Sequence, residues 1–547
     1  MDSHKKARKD TKRVLRKRVD SSEIGEEKLC VLCVKNSVFS VVKTIFQTAE
    51  NTENERRAHR ELNLHFSLFN YCQRIIFCVS LCLFAAIGFS SVTNAQEFSR
   101  GQIIPKVACK SDAQQTYALY LPSTYSNEKR FPVIYAFDPV ARGVLPVERF
   151  KEAAEKFGYI VVGSHNSRNG LGGKDLIPII NTLINDTLER FSIDSHRAYF
   201  TGFSGGARVA SGFALGCKGC AAGVILCGAG FPPEVVPTKD LPFPVYGTVG
   251  DEDFNFPEMK ILDEALNKLN LPHRIVTFEG AHDWASSEYC VKALEWLEIQ
   301  AMRAGSRTKD EKFLESVWKR EFEKGSDAES KNKLYDAYVS YLSLAQDFKD
   351  LRDVSEVEKK VSLLRENKAV RQALKDERDE ISKQNTLTNK LISQGVKAMS
   401  AESFERSAMI QDLRNMAADV RKTAQSNEDT SERRVARRSL RQAFAYYYET
   451  AIHNFLQQKK NDQAIFYMEI VTELQPKNAF AFVELARVYA LSKQKKQAIQ
   501  TLQKAVEKGF NDLKTLEENK DFDILRGESD WQKLIANLRE KSSSKQN

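Results

Sequence analysis

The sequence predicts an α/β fold with a mostly parallel sheet, followed by an all-helical region. Three observations carry this reading. Between about residues 102 and 302, short apolar runs rich in β-branched and aromatic residues alternate with stretches of helical period, as in chains of strand–helix–strand units. Several of those runs are apolar nearly throughout, which requires burial on both faces and helices on either side. Past Gly305, glycine and proline become scarce and charges of both signs mix at helical spacing, so a second architecture begins there.

The expected strands, in order, are Tyr117–Leu121, Phe131–Phe137, Tyr159–Gly163, Arg197–Phe200, Ala222–Cys227, Val245–Val249 and Arg274–Phe278. Between or after them the apolar spacing predicts helices over Leu145–Phe157, Leu176–Phe191, Gly206–Leu215, Pro257–Leu269 and Ser286–Arg303. From Arg307 to Glu432 the pattern is that of helices with solvated faces, joined by polar links such as Ser426-Asn427-Glu428-Asp429. No heptad runs long enough to specify a coiled coil.

Upstream of the sheet region, Ile75 to Val92 is uncharged and mostly apolar, preceded by Arg74 and followed by Thr93-Asn94-Ala95-Gln96. This is the pattern of an export signal cleaved after Ala95, or of an uncleaved anchor. More than seventy residues precede it and no second Met occurs before Met259. The segment 1–73 is therefore either a basic polar cytoplasmic arm or the product of a start assigned too far upstream. On this reading the product is secreted or periplasmic, or held at a membrane by residues 75–92 alone.

The formal charge of +9 raises the question of nucleic acid, and its distribution answers it. Residues 1–95 hold 16 Lys+Arg against 10 Asp+Glu, leaving 66 against 63 for the rest of the chain. The basicity belongs to a solvated N-terminal arm, and no nucleic-acid partner is expected. Of the ten cysteines, Cys109, Cys217, Cys220, Cys227 and Cys290 lie beyond residue 95. Cys217 and Cys220 have no second CxxC partner in this part, so a local disulfide or buried thiols is expected, and no metal site.

The chemistry centres on Gly202-Phe203-Ser204-Gly205-Gly206, between an expected strand and an expected helix. Glycines two before and two after the serine permit the sharp turn that lifts a hydroxyl out of a sheet. A serine hydroxyl needs a histidine to take its proton and a carboxylate to orient that histidine. Of the eight histidines, His282 in Gly280-Ala281-His282-Asp283-Trp284 directly follows the last expected strand. The acid is expected in Gly250-Asp251-Glu252-Asp253-Phe254, after the strand Val245–Val249: Asp253 by register, with Asp251 as the competing acid.

The chain order Ser204, Asp253, His282 is that of the α/β-hydrolases. Residues 96–304 resemble that superfamily, especially small esterases of the dienelactone-hydrolase and polyhydroxybutyrate-depolymerase kind. The resemblance implies a hydrolase sandwich, an ester substrate, small or polymeric, and no cofactor; a peptidase or amidase of the same fold is the alternative. It also implies an oxyanion hole from the N–H of Gly205 and a second N–H from the loop after Phe131–Phe137. There the family's usual His-Gly is replaced by Phe137-Asp138-Pro139. Proline cannot donate, so Asp138 or Val140 must. Asn166, Asn169, Phe203 and Trp284 are candidate pocket residues.

The end of the chain repeats with a period of 34 residues when Ala445–Asn478 is laid over Ala479–Asp512. Ala464 then matches Ala498, Met468 matches Leu502 and Phe455 matches Tyr489, with Pro476 closing the first unit. This resembles the tetratricopeptide repeat (TPR), although the usual small residue of the first helix is Ile452 in one copy and Ala486 in the other. The resemblance implies a protein partner. The expected divisions are 1–73, 74–95, 96–304, 305–440 and 441–547. If the hydrolase part is catalytically idle, the chain is instead an interaction protein built on its repeats.

Overall fold

The computed structural model describes residues 98–543. The N-terminal arm and the apolar segment 75–92 lie outside them. Among the described residues no helix is long and apolar enough to cross a membrane.

Eight strands form one sheet in the order β1-β2-β4-β3-β5-β6-β7-β8. They are β1 (Ile103–Ala108), β2 (Thr116–Tyr120), β3 (Phe131–Phe137), β4 (Ile160–Ser164), β5 (Ile193–Phe203), β6 (Gly223–Cys227), β7 (Val245–Gly250) and β8 (His273–Phe278). β1–β2 and β2–β4 are antiparallel, and every other pair is parallel. β3, β4, β6 and β7 are buried along their whole length, as the continuous apolar runs require. β1 was not among the expected strands. It is an edge strand in which Pro105 and Lys106 are exposed, and proline and lysine at an edge blunt further pairing while hiding the strand pattern.

The sheet's helices are α1 (Val144–Phe157), α2 (Gly173–Arg190), α3 (Gly205–Gly216), α4 (Phe256–Lys268) and α5 (Ser287–Arg303). α1 and α5 pack together on one face, where Val147, Phe150, Leu294 and Trp296 meet Ile134, Val161, Tyr199 and Tyr246. Tyr135, one residue on from Ile134, points to the other face and bonds Thr187 of α2 at 2.9 Å, as the two-residue period of a strand demands.

The helical region continues with α6 (Glu311–Ser330), α7 (Leu334–Phe348), α8 (Ser355–Glu366), α9 (Lys368–Ser400), α10 (Ser403–Ala424), α11 (Ser431–Glu449), a π-helical turn (Thr450–Phe455), α12 (Asn461–Leu474), α13 (Ala479–Leu491), α14 (Lys495–Glu507), α15 (Leu513–Glu518), a 3₁₀ turn (Lys520–Leu525) and α16 (Ser529–Ser543). The described residues from Ser99 onward form one compact unit. Two expected divisions are softened by this. At 304/305, Ile299 and Met302 of α5 share a core with Leu314, Tyr341 and Val357 of the following helices. The 440/441 division falls inside α11, and one core runs from Leu391 on α9 through Leu413 and Leu440 to Leu485 on α13. The repeat matches nonetheless fall on buried faces of successive helix pairs, with Ala464, Met468, Ala498 and Leu502 fully buried.

Candidate active site

All the parallel strands point their carboxyl ends at one rim of the sheet, and ligands of such sheets bind outside that rim. β5 delivers Ser204 there, paired through Phe137↔Gly202 on one side and Phe203↔Cys227 on the other. Ser204 adopts φ 52°, ψ −120°, a region that an L-residue enters only under strain. Two glycines make the turn possible. A side chain at Gly202 would collide with the Gly206 carbonyl, and one at Gly206 would collide with the Phe137 carbonyl. The Ser204 N–H donates to the Cys227 carbonyl at 2.8 Å, fixing the turn to β6. Ser204 is the N-cap of α3 but makes no side-chain cap bond, leaving its hydroxyl for another partner.

That partner is His282. Its Nε2 lies 2.9 Å from Ser204 Oγ, and its Nδ1 lies 2.8 and 2.9 Å from the two carboxylate oxygens of Asp253. The Asp253 side chain is fully buried and that of His282 is 17% exposed. An imidazole so placed can accept the hydroxyl proton on Nε2 while Nδ1–H stays bonded to the carboxylate. Asp251 serves elsewhere: its Oδ1 accepts the Gly280 N–H at 2.8 Å, tying the β7 loop to the β8 loop.

The expected pocket residues divide. Phe203 and Trp284 are 6% and 2% exposed, so they back the site from inside the core rather than line an open pocket. The Phe203 ring lies 4.5 Å from the His282 ring. Asn166 is structural, accepting the Thr116 N–H at 2.9 Å and donating to the Gln114 carbonyl at 3.1 Å. Asn169 does reach the turn, since a side chain at Gly205 would strike its amide. Its own N–H is held by the Pro139 carbonyl at 2.8 Å, so the loops after β3 and β4 close against each other beside the serine.

Of the two expected second donors, Val140 is excluded. Its N–H is already given to Asp138 Oδ1 at 2.9 Å, the two-residue turn that an aspartate side chain favours. The Asp138 N–H lies instead close to the elbow, 3.3 Å from where a Gly206 side chain would begin. The Asp138 carboxylate also accepts from Arg142 and from Trp284 Nε1 at 2.9 Å. Burial pushes this carboxyl upward, but the hydrogen bonds from Arg142, Trp284 and the backbone outweigh that and hold it below its ordinary value. Gly205 opens α3, so its N–H sits at the positive end of a helix.

Two neighbours of this hydrogen-bonded line were not foreseen. The Phe254 ring lies 4.2 Å from that of His282 and is tilted to it by 40°, so two phenylalanine rings, Phe203 and Phe254, pack on this imidazole. Gly228 follows β6 at φ 65°, and a side chain there would lie 3.0 Å from Asp253 Oδ2 and 3.3 Å from His282 Cε1. Phe254 directly follows the acid in sequence, whereas nothing local marks Gly228. Cys217 and Cys220 form a disulfide, and Cys109, Cys227 and Cys290 are free and buried.

Residues 166–302 match the family described as Dienelactone hydrolase family. No curated protein matches the chain. Among solved structures, it is similar to a Staphylococcus aureus fluorophosphonate-binding serine hydrolase F at 13% identity, over 36% of this chain and 99% of that one, with a TM-score of 0.31. It is also similar to a Staphylococcus aureus S-formylglutathione hydrolase (13% identity, 37% and 98% covered, TM-score 0.30) and to a Bacillus cereus carboxylesterase (17% identity, 35% and 97% covered, TM-score 0.29).

Proposed function

We propose that this chain is a serine hydrolase that cleaves carboxylic esters. The observation that carries the proposal is the hydrogen-bonded line from Ser204 Oγ through His282 to the buried Asp253, at 2.9 and 2.8 Å, set on a strained strand-to-helix turn. Ser204 attacks the ester carbonyl carbon while His282 Nε2 takes the hydroxyl proton. The carbonyl oxygen becomes an oxyanion facing the N–H groups of Gly205 and Asp138. The imidazolium then protonates the departing alcohol, leaving Ser204 acylated. Water, deprotonated by His282, releases the acid and restores the serine. Asp253 stays ionised throughout and stabilises the imidazolium. Each step is a proton or acyl transfer that these side chains supply, so no cofactor enters.

The similarity of residues 166–302 to the dienelactone hydrolase family supports an ester over an amide substrate. The Cys217–Cys220 disulfide supports export to an oxidising compartment through residues 75–92. Helix pairs at a 34-residue offset support tetratricopeptide repeats and hence a protein partner.

The test is the intact mass of the chain after treatment with a fluorophosphonate probe. A single adduct on wild type and none on Ser204→Ala is the expected result, followed by turnover of aryl esters and not of the matched anilides. Folded wild type that takes no adduct would overturn the enzyme reading in favour of an interaction protein.

A further inference from the structure

The loop that carries Asp253 is held from behind by the helical region. Arg438 Nε donates to the Asp251 carbonyl at 2.6 Å, Arg441 Nη1 to the Glu252 carbonyl at 2.8 Å, and Gln384 Nε2 to the Phe254 carbonyl at 2.9 Å. The carbonyls on both sides of Asp253 are thus each fastened by a side chain from α9 or α11. Arg438 and Gln384 are themselves fixed. Arg438 is 1% exposed, lies 4.1 Å over the Phe256 ring and pairs with Glu380 and Gln384. The Glu252 carboxylate is gripped by Arg437, with Arg433 at 3.5 Å and Arg441 at 3.6 Å. The Asp253 carboxylate accepts the Asn255 N–H at 2.8 Å and faces His282 Nδ1 at 2.8 Å.

We propose that Arg438, Arg441 and Gln384 are positioning residues, through which the helical region sets the alignment of Asp253 on His282. The proposal rests on the serine-hydrolase reading above. A carboxylate that must meet an imidazole at 2.8 Å works only if its loop is rigid to a fraction of an ångström, and a misplacement of about 1 Å can cost roughly a hundredfold in rate. Within the α/β part this loop is held by Asp253 N–H to Gly250 O at 3.1 Å, Asp251 N–H to Phe278 O at 2.8 Å, Glu252 N–H to Gly280 O at 2.8 Å, Gly280 N–H to Asp251 Oδ1 at 2.8 Å and Asn255 Nδ2–H to Gly228 O at 2.7 Å. Its outer carbonyls depend on the helices. The helical region is then a structural part of the active site as well as a candidate surface for partners.

The experiment compares full-length wild type, Arg441→Ala, Gln384→Ala and Arg438→Lys by the rate of fluorophosphonate labelling against pH, with thermal melts to establish folding. Arg421→Ala is the matched control, since Arg421 gives its Nη1 to the Glu473 carbonyl at 2.7 Å wholly within the helical region. The expected result is labelling slowed roughly tenfold or more in the three loop variants, on the scale of that misplacement cost, and unchanged in Arg421→Ala. The acid limb of the pH profile should also move to lower pH in the loop variants, because a poorly aligned Asp253 stabilises the imidazolium less. Folded loop variants with wild-type rates and an unmoved limb overturn the proposal alone. Wild type that is not labelled at Ser204 overturns it together with the hydrolase reading.

Discussion

Trp284, two residues beyond His282, donates its indole N–H to the buried Asp138 carboxylate 2.9 Å away. This bond joins the histidine loop to the loop after β3, whose Asp138 N–H is the proposed second oxyanion donor. Trp284→Phe keeps an aromatic ring there but leaves a small void, and it removes one donor from a carboxylate with no exposed surface. The expected loss of stability is about 1–3 kcal/mol, measured by urea denaturation, with a drop in ester turnover. A stable variant with full turnover would rule the bond out as a support for that loop.

The same carboxylate has a pH signature. Its folded pKa is depressed, so its contribution is fully present above the ordinary carboxylate range and is lost as pH falls through the lower folded value. Asp138→Asn should be less stable than wild type at neutral pH. Its stability should then fall less between about pH 4 and the acid transition than that of wild type. Parallel pH–stability curves for the two proteins would contradict this.

Ser204 itself should be replaceable at a gain. At φ 52° and ψ −120° an alanine keeps the steric strain, while glycine is free of it. Ser204→Gly should therefore be more stable than Ser204→Ala by about 1 kcal/mol, both being unreactive to the probe. Equal melting temperatures would mean that the turn is unstrained in solution.

Much of this site is written in local sequence, and the rest is not. The strands buried on both faces are apolar nearly throughout, as in Phe131–Phe137, and the runs Gly202–Gly206 and Gly250–Phe254 mark the carboxyl ends of β5 and β7. β1 escaped because Pro105 and Lys106 break its pattern at an edge. The loss of Val140 as a donor was legible in principle, since Asp138-Pro139 is a turn opener whose carboxylate reaches two residues on. The hold on the Asp253 loop was not. Arg433, Arg434, Arg437, Arg438 and Arg441 look like one solvated, basic helix face, and only the fold brings Arg438 to a carbonyl 187 residues away in sequence. Gly228 is similar: its need for a bare α-carbon arises in part from Asp253 and His282, which pack against it from the loops after β7 and β8.

His273, at the start of β8 and away from Ser204 and His282, gives a second pH dependence of opposite sign. Its Nδ1 faces the Leu271 carbonyl at 2.7 Å and its Nε2 faces Asp263 at 3.2 Å. Burial disfavours its charged form, but the bonds to Asp263 and Leu271 outweigh this and raise its pKa. The stabilisation is thus complete below about 6.5, the ordinary histidine value, and fades as pH rises through the folded one. His273→Gln should flatten the fall in melting temperature on the alkaline side of about pH 6.5. An unchanged slope would show that other groups set it.

Asn169 and Gly205 make a last, mutually dependent pair. A side chain at Gly205 would strike the Asn169 amide, and Asn169 cannot withdraw freely because its N–H is held by Pro139 at 2.8 Å. Gly205→Ala should then force the β4 loop away from the serine and tilt the N–H at the start of α3, lowering kcat/KM by about a hundredfold, the scale of losing one oxyanion donor. Removing the obstructing amide should restore much of this. Gly205→Ala/Asn169→Ala is expected to recover at least roughly tenfold over Gly205→Ala, a coupling of more than about 1 kcal/mol between touching residues. If the two changes simply add, the amide is no obstacle, and the loss in Gly205→Ala comes from the turn itself.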